Sequence, residues 1–405
     1  MKQMKSVQHV NGSTSAAEDA EDKPTFYTTI FWHLIPESAF LPKVRVMTQP
    51  PLKTLYWYVT TACNQHCKHC WVSAGKTKAP ELTAEQWIQI LDGLIDIGLE
   101  NVKITGGEPL LHWKKIKKAM EFLTDHQIRI RMETNATLLS GEHSRDILTF
   151  LQNEHIQRVA ISLDSHIPEQ HDHFREMDGA FDKTLKGLTL LKENEIPFSV
   201  VTVLHNNNYT HIEDIIDFVG TIDPCHHLID LIIPEGRSKV NTQYQLTADF
   251  YVKKLPPLIK RIKKERGKKV IFNIPLVISP LAIDFVSCTV GKEICGLLPN
   301  GDISICGVGI DKKELTLGNV LEDDIEDIWV NSPAFLTLRK STFESKGVCG
   351  NCIFGKYCMG HCRALTYSVY GQLDAPYPIC QKLYEEGVFP QKYLVDPEKD
   401  CAFHG

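Results

Sequence analysis

The chain of 405 residues predicts an α/β fold with a parallel sheet, followed by a second, cysteine-rich unit. Three observations carry this. From Pro51 to about Arg237, strand-like apolar runs alternate with helix-like ones, the pattern of parallel strands joined by crossover helices. The first two strands each lead straight into a loop of unusual chemistry, Cys63-x3-Cys67-x2-Cys70 after one and Gly106-Gly107-Glu108-Pro109 after the other. Eight further cysteines then fall between Cys288 and Cys380.

The first strand reads as Tyr56 to Thr60 and runs into the cysteine triplet. Thr83 and Gln86 make a capping box ahead of Trp87, Ile88, Ile90, Leu91, Leu94 and Ile95, and Gly98 suits the stop of that helix. Val102 to Thr105 is the second strand. The later strands read as Ile128 to Met132, Arg158 to Leu163, Phe198 to Leu204 and Leu228 to Ile233, with helical runs near 113–124, 142–152, 182–194 and 211–219. Six strands in six units are two short of an eightfold barrel. In barrels of this kind the loops after strands gather on the catalytic face. That rule directs Glu133, Thr134, Asn135, Ser162, Asp164, Asn206 to Asn208, Glu235 and Arg237 into the site, with Glu235 and Arg237 as candidate catalytic residues. Cys225, between the fifth helix and the sixth strand, faces away and reads as structural. Residues 238–280 hold a basic helix and the apolar strand Val270 to Ile274, and form a bridge to the second unit.

Composition excludes several classes. With 44 basic and 50 acidic residues the net charge is -6, which gives no electrostatic footprint for a nucleic-acid partner. The basic run 253–269 is best read as a solvated helix face, the alternative being a docking patch for an acidic peptide. No signal peptide opens the chain, and the first 22 residues are polar and expected to be disordered. Phe26 to Leu41 is broken by His33, Pro36 and Glu37 and is too short to span a bilayer, so no membrane partner is expected. Thirteen cysteines without a secretion signal fit metal-bound thiolates in a reducing cytoplasm.

Three thiolates can hold a four-iron cubane and leave one iron open to another ligand. Taken alone, the triplet is also compatible with part of a zinc site. Together with the glycine loop it resembles the radical S-adenosylmethionine (radical SAM) enzymes, which implies a partial (β/α)6 TIM-type barrel. The resemblance further implies that the open iron chelates the amino and carboxylate groups of SAM and that Gly106, Gly107, Glu108 and Pro109 line the cofactor. The position before the third cysteine, often aromatic in that family, is His69. The stretch ISLDSHIPEQHDHFR is similar to the SLDG…HDxxRG stretch of its peptide- and protein-modifying members. That similarity places Ser162 and Asp164 at the ribose and Arg175 on the SAM carboxylate, with Asn135 and Asn208 among the cofactor-binding residues.

In the C-terminal unit, C-x2-C and C-x3-C pairs also occur in zinc ribbons. The spacing here resembles the SPASM domain: Cys288-x12-Gly301-x4-Cys306, then Leu317-Gly318-Asn319-Val320 with Ile328-Trp329, then Cys349-x2-Cys352-x5-Cys358-x3-Cys362 and Cys380. The resemblance implies two auxiliary clusters, a nearer one on Cys288, Cys295, Cys306 and Cys362 and a farther one on Cys349, Cys352, Cys358 and Cys380. Spacing before Gly301 varies in the family, which leaves open whether Cys288 or Cys295 is a bystander. Cys401 is left over near a flexible end as a free thiol.

The resulting domain plan is an N-terminal extension (1–50), a radical SAM barrel (51–237), the bridge (238–280), a SPASM domain (281–385) and a tail (386–405). The resemblance implies three 4Fe-4S clusters, SAM, a flavodoxin- or ferredoxin-type reductant and oxidative modification of a peptide or protein substrate: a thioether or carbon-carbon bond, or a dehydrogenation. Tetrapyrrole side-chain processing is the alternative enzyme class. A non-catalytic electron carrier is the other, against which the glycine loop argues. Only fifty residues precede the barrel, too few for the winged-helix leader-binding domain of many peptide maturases, so a separate leader-binding partner or direct core recognition is expected.

Overall fold

The computed structural model describes residues 50–77, 80–278, 288–341 and 345–403. The expected disorder of the first 22 residues and the apolar stretch Phe26 to Leu41 lie outside them. Ten strands form one sheet: β1 (Thr54–Tyr58), β2 (Asn101–Thr105), β3 (Arg129–Thr134), β4 (Ile156–Ser162), β5 (Phe198–Leu204), β6 (His226–Leu231), β7 (Val270–Asn273), β8 (Ile294–Leu297), β9 (Asp302–Ser304) and β10 (Gly318–Asn319). Their order is β10-β9-β8-β1-β2-β3-β4-β5-β6-β7. The eight strands from β8 to β7 are all parallel, β9 and β10 are antiparallel, and the sheet does not close.

The six expected strands are present, and the sheet grows at both edges. The bridging strand β7 pairs with β6 through His227 and Val270. At the opposite edge β8 pairs with β1 through Leu55 and Cys295. Nothing in the short sequence ICGL announces β8. Strands β1 and β6 end two residues earlier than expected, because Val59 and Ile232 stay apolar and buried after the chain has left the ladder.

Crossover helices α1 (Ala84–Asp96), α2 (Trp113–Asp125), α3 (Ser144–Leu151), α4 (Pro168–Arg175), α5 (Ala180–Glu193) and α6 (Ile212–Ile222) cover the outer face. The capping box forms as its sequence requires: Gln86 N donates to Thr83 Oγ1 at 3.2 Å, and Thr83 N donates to Gln86 Oε1 at 2.8 Å. Trp87 then meets Trp57 edge-to-face at 4.8 Å, so the odd-numbered face of β1, with Leu55 and Trp57, points to the helices. Helix α4 escaped the periodicity because its buried residues are His171, Phe174 and Arg175, a mostly polar face.

After the short helix α7 (Arg237–Val240) comes the basic helix α8 (Leu255–Arg266), which buries Leu255, Leu258, Ile259 and Ile262. The cations of this helix and of the turn that follows it are met by α6 and the turn after α6: Arg261 with Glu213 at 2.7 Å, Arg266 with Asp217 at 2.7 Å, and Lys269 with Asp223 at 2.6 Å. The run is a solvated, ion-paired face. The segment around Cys401 is docked, contrary to the flexibility expected there. That residue is buried, its N–H donates to the Tyr384 hydroxyl at 3.1 Å and its carbonyl accepts from Gln381 Nε2 at 2.9 Å. Among the described residues no helix is long and apolar enough to cross a membrane.

Candidate active site

The cysteine loop leaves β1 and is held from three sides. Cys63 N donates to Gly75 O at 2.8 Å, closing the loop on itself. Gly107 N and Glu108 N donate to Thr60 O and Ala62 O, both at 2.8 Å, fastening the glycine loop to it. A Cβ at Gly107 would lie 1.9 Å from Ala62 O, so this approach is open to glycine alone. From the sixth strand's loop, Gly236 (φ +56°) allows a second close approach, where a Cβ would lie 2.5 Å from Cys70 O and 2.6 Å from Trp71 O. Arg237 then spends its guanidinium on the loop, with Nε donating to Cys67 O at 2.8 Å and Nη1 to Ala74 O at 2.5 Å. Arg237, a candidate catalytic residue by sequence, therefore positions the loop. Glu235 is buried, with Lys312 Nζ 3.8 Å from its carboxylate, an ion pair to the C-terminal unit.

The residues expected at the cofactor are brought together, several with a different partner. Glu108 is fully enclosed and accepts from Thr134 Oγ1 (2.7 Å), Asn135 N (2.9 Å) and Leu110 N (3.0 Å). It braces β2 against β3, and burial raises its carboxyl despite these bonds. Pro109 opens the 3-10 turn Pro109–His112 behind it. Asn135 donates to Asn64 Oδ1 at 2.9 Å, linking β3 to the cysteine loop. Asn208, expected among the cofactor-binding residues, turns inward, donating to Asp164 O and Val203 O at 3.1 and 3.0 Å. Ser162 stands half-buried at the end of β4.

Asp164 and Arg175, expected at the ribose and at the SAM carboxylate, pair with each other at 2.5 Å, both buried. Burial alone would raise the Asp164 carboxyl; Arg175, with His69 and His171, outweighs it and holds it at about 2. Arg175 Nη1 also reaches Cys67 Sγ at 3.7 Å. His69 lies flat on Phe174, ring centres 4.6 Å apart and 9° between planes, and Phe174 stacks in turn on His205 at 4.1 Å. Burial lowers the His69 pKa to about 3, so the ring is neutral.

A lysine the sequence reading passed over joins the expected Glu133 on the inward face of the strands. Lys103 Nζ sits 4.0 Å over the Tyr56 ring and 3.1 Å from Glu133 Oε1, while Thr105 Oγ1 donates to Glu133 Oε2 at 2.7 Å. Burial works to raise Glu133, and the Lys103 ammonium lowers it on balance. The signal was available: a lysine at the centre of a strand whose other residues alternate into the core.

The C-terminal thiols separate into groups. Cys349, Cys352, Cys358 and Cys380 line one enclosed cavity with Pro275, Val277, Tyr377 and Phe389. Cys306 lies in the field of Cys362 and Cys288. Burial pushes these thiols up, Cys362 and Cys352 to about 11 and Cys358 to about 12, so loading iron must displace protons. Among the described residues no three thiol, imidazole or carboxylate groups close tightly enough for a single metal ion. Four thiols lining one cavity have the donor chemistry of a cubane site.

Cys295 is set apart. It pairs with Leu55, on the helix-facing side of the sheet, and burial alone raises it to about 12. Its neighbour Gly296 is the residue that faces Cys306: a Cβ there would be 2.8 Å from Cys306 Cα. Strand alternation therefore puts Cys295 on the wrong face to join Cys288, Cys306 and Cys362. Cys295→Ala should keep about twelve irons per chain, whereas Cys306→Ala should fall to about eight. Loss of about four irons from Cys295→Ala would make it a ligand after all.

Comparison with known proteins agrees with this layout. Residues 57–219 match the Radical SAM superfamily and residues 288–353 the SPASM iron-sulfur cluster-binding domain. AdoMet-dependent heme synthase of Methanosarcina barkeri is 28% identical over 358 residues, 84% of this chain and 99% of that protein. Mycofactocin maturase MftC of Mycobacterium tuberculosis is 28% identical over 354 residues, 85% and 87% of the two chains. SuiB of Streptococcus suis, solved with its precursor peptide SuiA, superposes with a TM-score of 0.64 at 20% identity over 82% of this chain and 76% of SuiB, a likeness of fold.

Proposed function

Because this chain belongs to the radical SAM superfamily and carries a SPASM iron-sulfur domain, we propose that it oxidatively modifies a peptide substrate, forming a crosslink or a double bond. The cofactors, SAM and its iron-sulfur clusters, supply a 5′-deoxyadenosyl radical for hydrogen abstraction and sinks for the electron left behind. The protein's part is orientation and exclusion of water. Arg237, Gly107 and Gly236 fix the cluster loop, and the Asp164–Arg175 pair backs it.

The observation that carries the peptide reading is the inward wall of the sheet. It holds a lysine, a carboxylate and a tyrosine in contact, with Asp230 nearby acting on Lys103. Such mixed-sign, hydrogen-bonding walls suit amides and uncharged side chains. They oppose a tetrapyrrole bearing several carboxylates, which would meet Glu133 and Asp230 as like charges. MftC among the relatives supports the same class. A second reading, tetrapyrrole side-chain processing, is favoured by the heme synthases, which this chain matches over nearly their whole length.

The reconstituted enzyme, incubated anaerobically with SAM and reductant, should convert a peptide encoded beside its gene to a product lighter by two hydrogens, read by mass spectrometry. A porphyrin that co-purifies or loses side-chain mass, with no peptide changed, would establish the second reading.

A further inference from the structure

Arg363 opens the helix Arg363–Tyr370 directly after Cys362, whose Sγ caps it by accepting from Leu365 N at 3.5 Å. The residue is 3% exposed. Its Nη1 donates to Leu373 O at 3.2 Å and Ala375 O at 3.0 Å, and its Nη2 is buried with no hydrogen-bond partner. Space for the guanidinium comes from Gly360, where a Cβ would lie 2.4 to 2.7 Å from three of its atoms. Among the described residues no carboxylate forms an ion pair with it, and the nearby Asp374 gives its carboxylate to Lys346 at 2.8 Å. A buried cation whose nearby carboxylate is shared with a lysine and whose outer N–H has no partner is costly unless a further acceptor completes it.

The missing group is identifiable from what surrounds it. The negative groups acting on Arg363 are Cys349 and Cys358, from one auxiliary set, then Asp374, and Cys288 from the other set. Gly360, against which its guanidinium packs, lines the cavity of the first set, and Cys362 of the second precedes it in the chain. A thiolate-ligated cubane is negatively charged, and its sulfurs accept hydrogen bonds. We propose that Arg363 is a charge bridge between the two auxiliary clusters, its free N–H directed to cluster sulfur and its cation stabilising the reduced state of both. Hydrogen bonds and positive charge next to a cluster raise its reduction potential. A single cation shared by two acceptors keeps both within reach of an electron leaving the substrate. The proposal rests on the two ligand sets described above.

An EPR-monitored redox titration of the full-length holoprotein tests it in a parent carrying Cys63→Ala, Cys67→Ala and Cys70→Ala, so that only auxiliary clusters contribute. Arg363→Gln can still donate to a carbonyl but carries no charge. It should lower the reduced-to-oxidised ratio of both clusters about tenfold at fixed potential, a shift of about 59 mV. Arg363→Lys keeps the charge and should recover at least roughly half of that shift on the same scale. An unshifted Gln variant, a shift in one cluster only, or equal potentials in the two variants overturns the bridge and leaves Arg363 a brace for the 373–375 turn. If the Gln variant loses auxiliary iron, full iron in the Lys variant supports the requirement for charge, and loss in both overturns it. Fewer than about eight irons in the parent would overturn the ligand assignment, and the bridge with it.

Discussion

Replacing Cys63, Cys67 and Cys70 together with alanine is expected to abolish 5′-deoxyadenosine formation while about eight of about twelve irons stay bound. Each of the three sits in the loop that Arg237 and the two glycine approaches hold in place, and no other thiol of the chain shares that loop. Without them no open iron remains to chelate SAM, so cleavage should fall to background and not merely slow. The auxiliary sets are built from other segments and should survive. Replacing Cys349 and Cys352 should do the reverse, leaving some SAM cleavage and removing modified product. Iron and sulfide analysis beside chromatography of 5′-deoxyadenosine reads both arms. Residual cleavage above background in the triple variant would place SAM at another cluster, and about four irons with one or two zincs in the wild type would remove the auxiliary clusters altogether.

Asp164→Ala is expected to cost the holoenzyme about 3–5 kcal/mol, because it strands the Arg175 cation in a site that water does not reach. That is a large part of the roughly 5–15 kcal/mol that holds a domain folded. The effect should reach the cofactor, since Arg175 O accepts from His66 N at 3.2 Å and its guanidinium touches Cys67 Sγ. Removing both charges, as Asp164→Ala with Arg175→Met, should be milder than removing Asp164 alone. Denaturation midpoints and bound iron of the three proteins decide this. A double variant no more stable than Asp164→Ala, or a single variant with wild-type stability, would show that the pair is not the brace described here. A pure cofactor contact predicts the opposite pattern: unchanged stability with weakened SAM binding.

What could be read from the chain itself was whatever depends on residues close in sequence. The cysteine triplet, the glycine loop and the capping box are local patterns, and the strand-helix alternation follows from hydrophobic period. These were enough for the parallel architecture and for the chemistry of the first loop. Partnership across the sheet was not legible, because it is decided by register and by which face a residue takes, and one residue of slip exchanges the faces. Cys295 matches the ligand spacing along the chain yet stands on the helix side of β8, opposite its intended companions. Asp164 and Arg175 carry the right chemistry for SAM, but α4 folds back and pairs them with each other. Arg237 is spent on loop carbonyls that lie about 170 residues earlier in the chain. Lys103 and Glu133 meet only because β2 and β3 are neighbours, and Arg363 is stranded only because Gly360 opens its pocket between two sets of thiols. The donor types are a property of the sequence; which atom each donor serves is settled by packing, since a buried polar group takes whatever partner the folded chain places within about 3 Å.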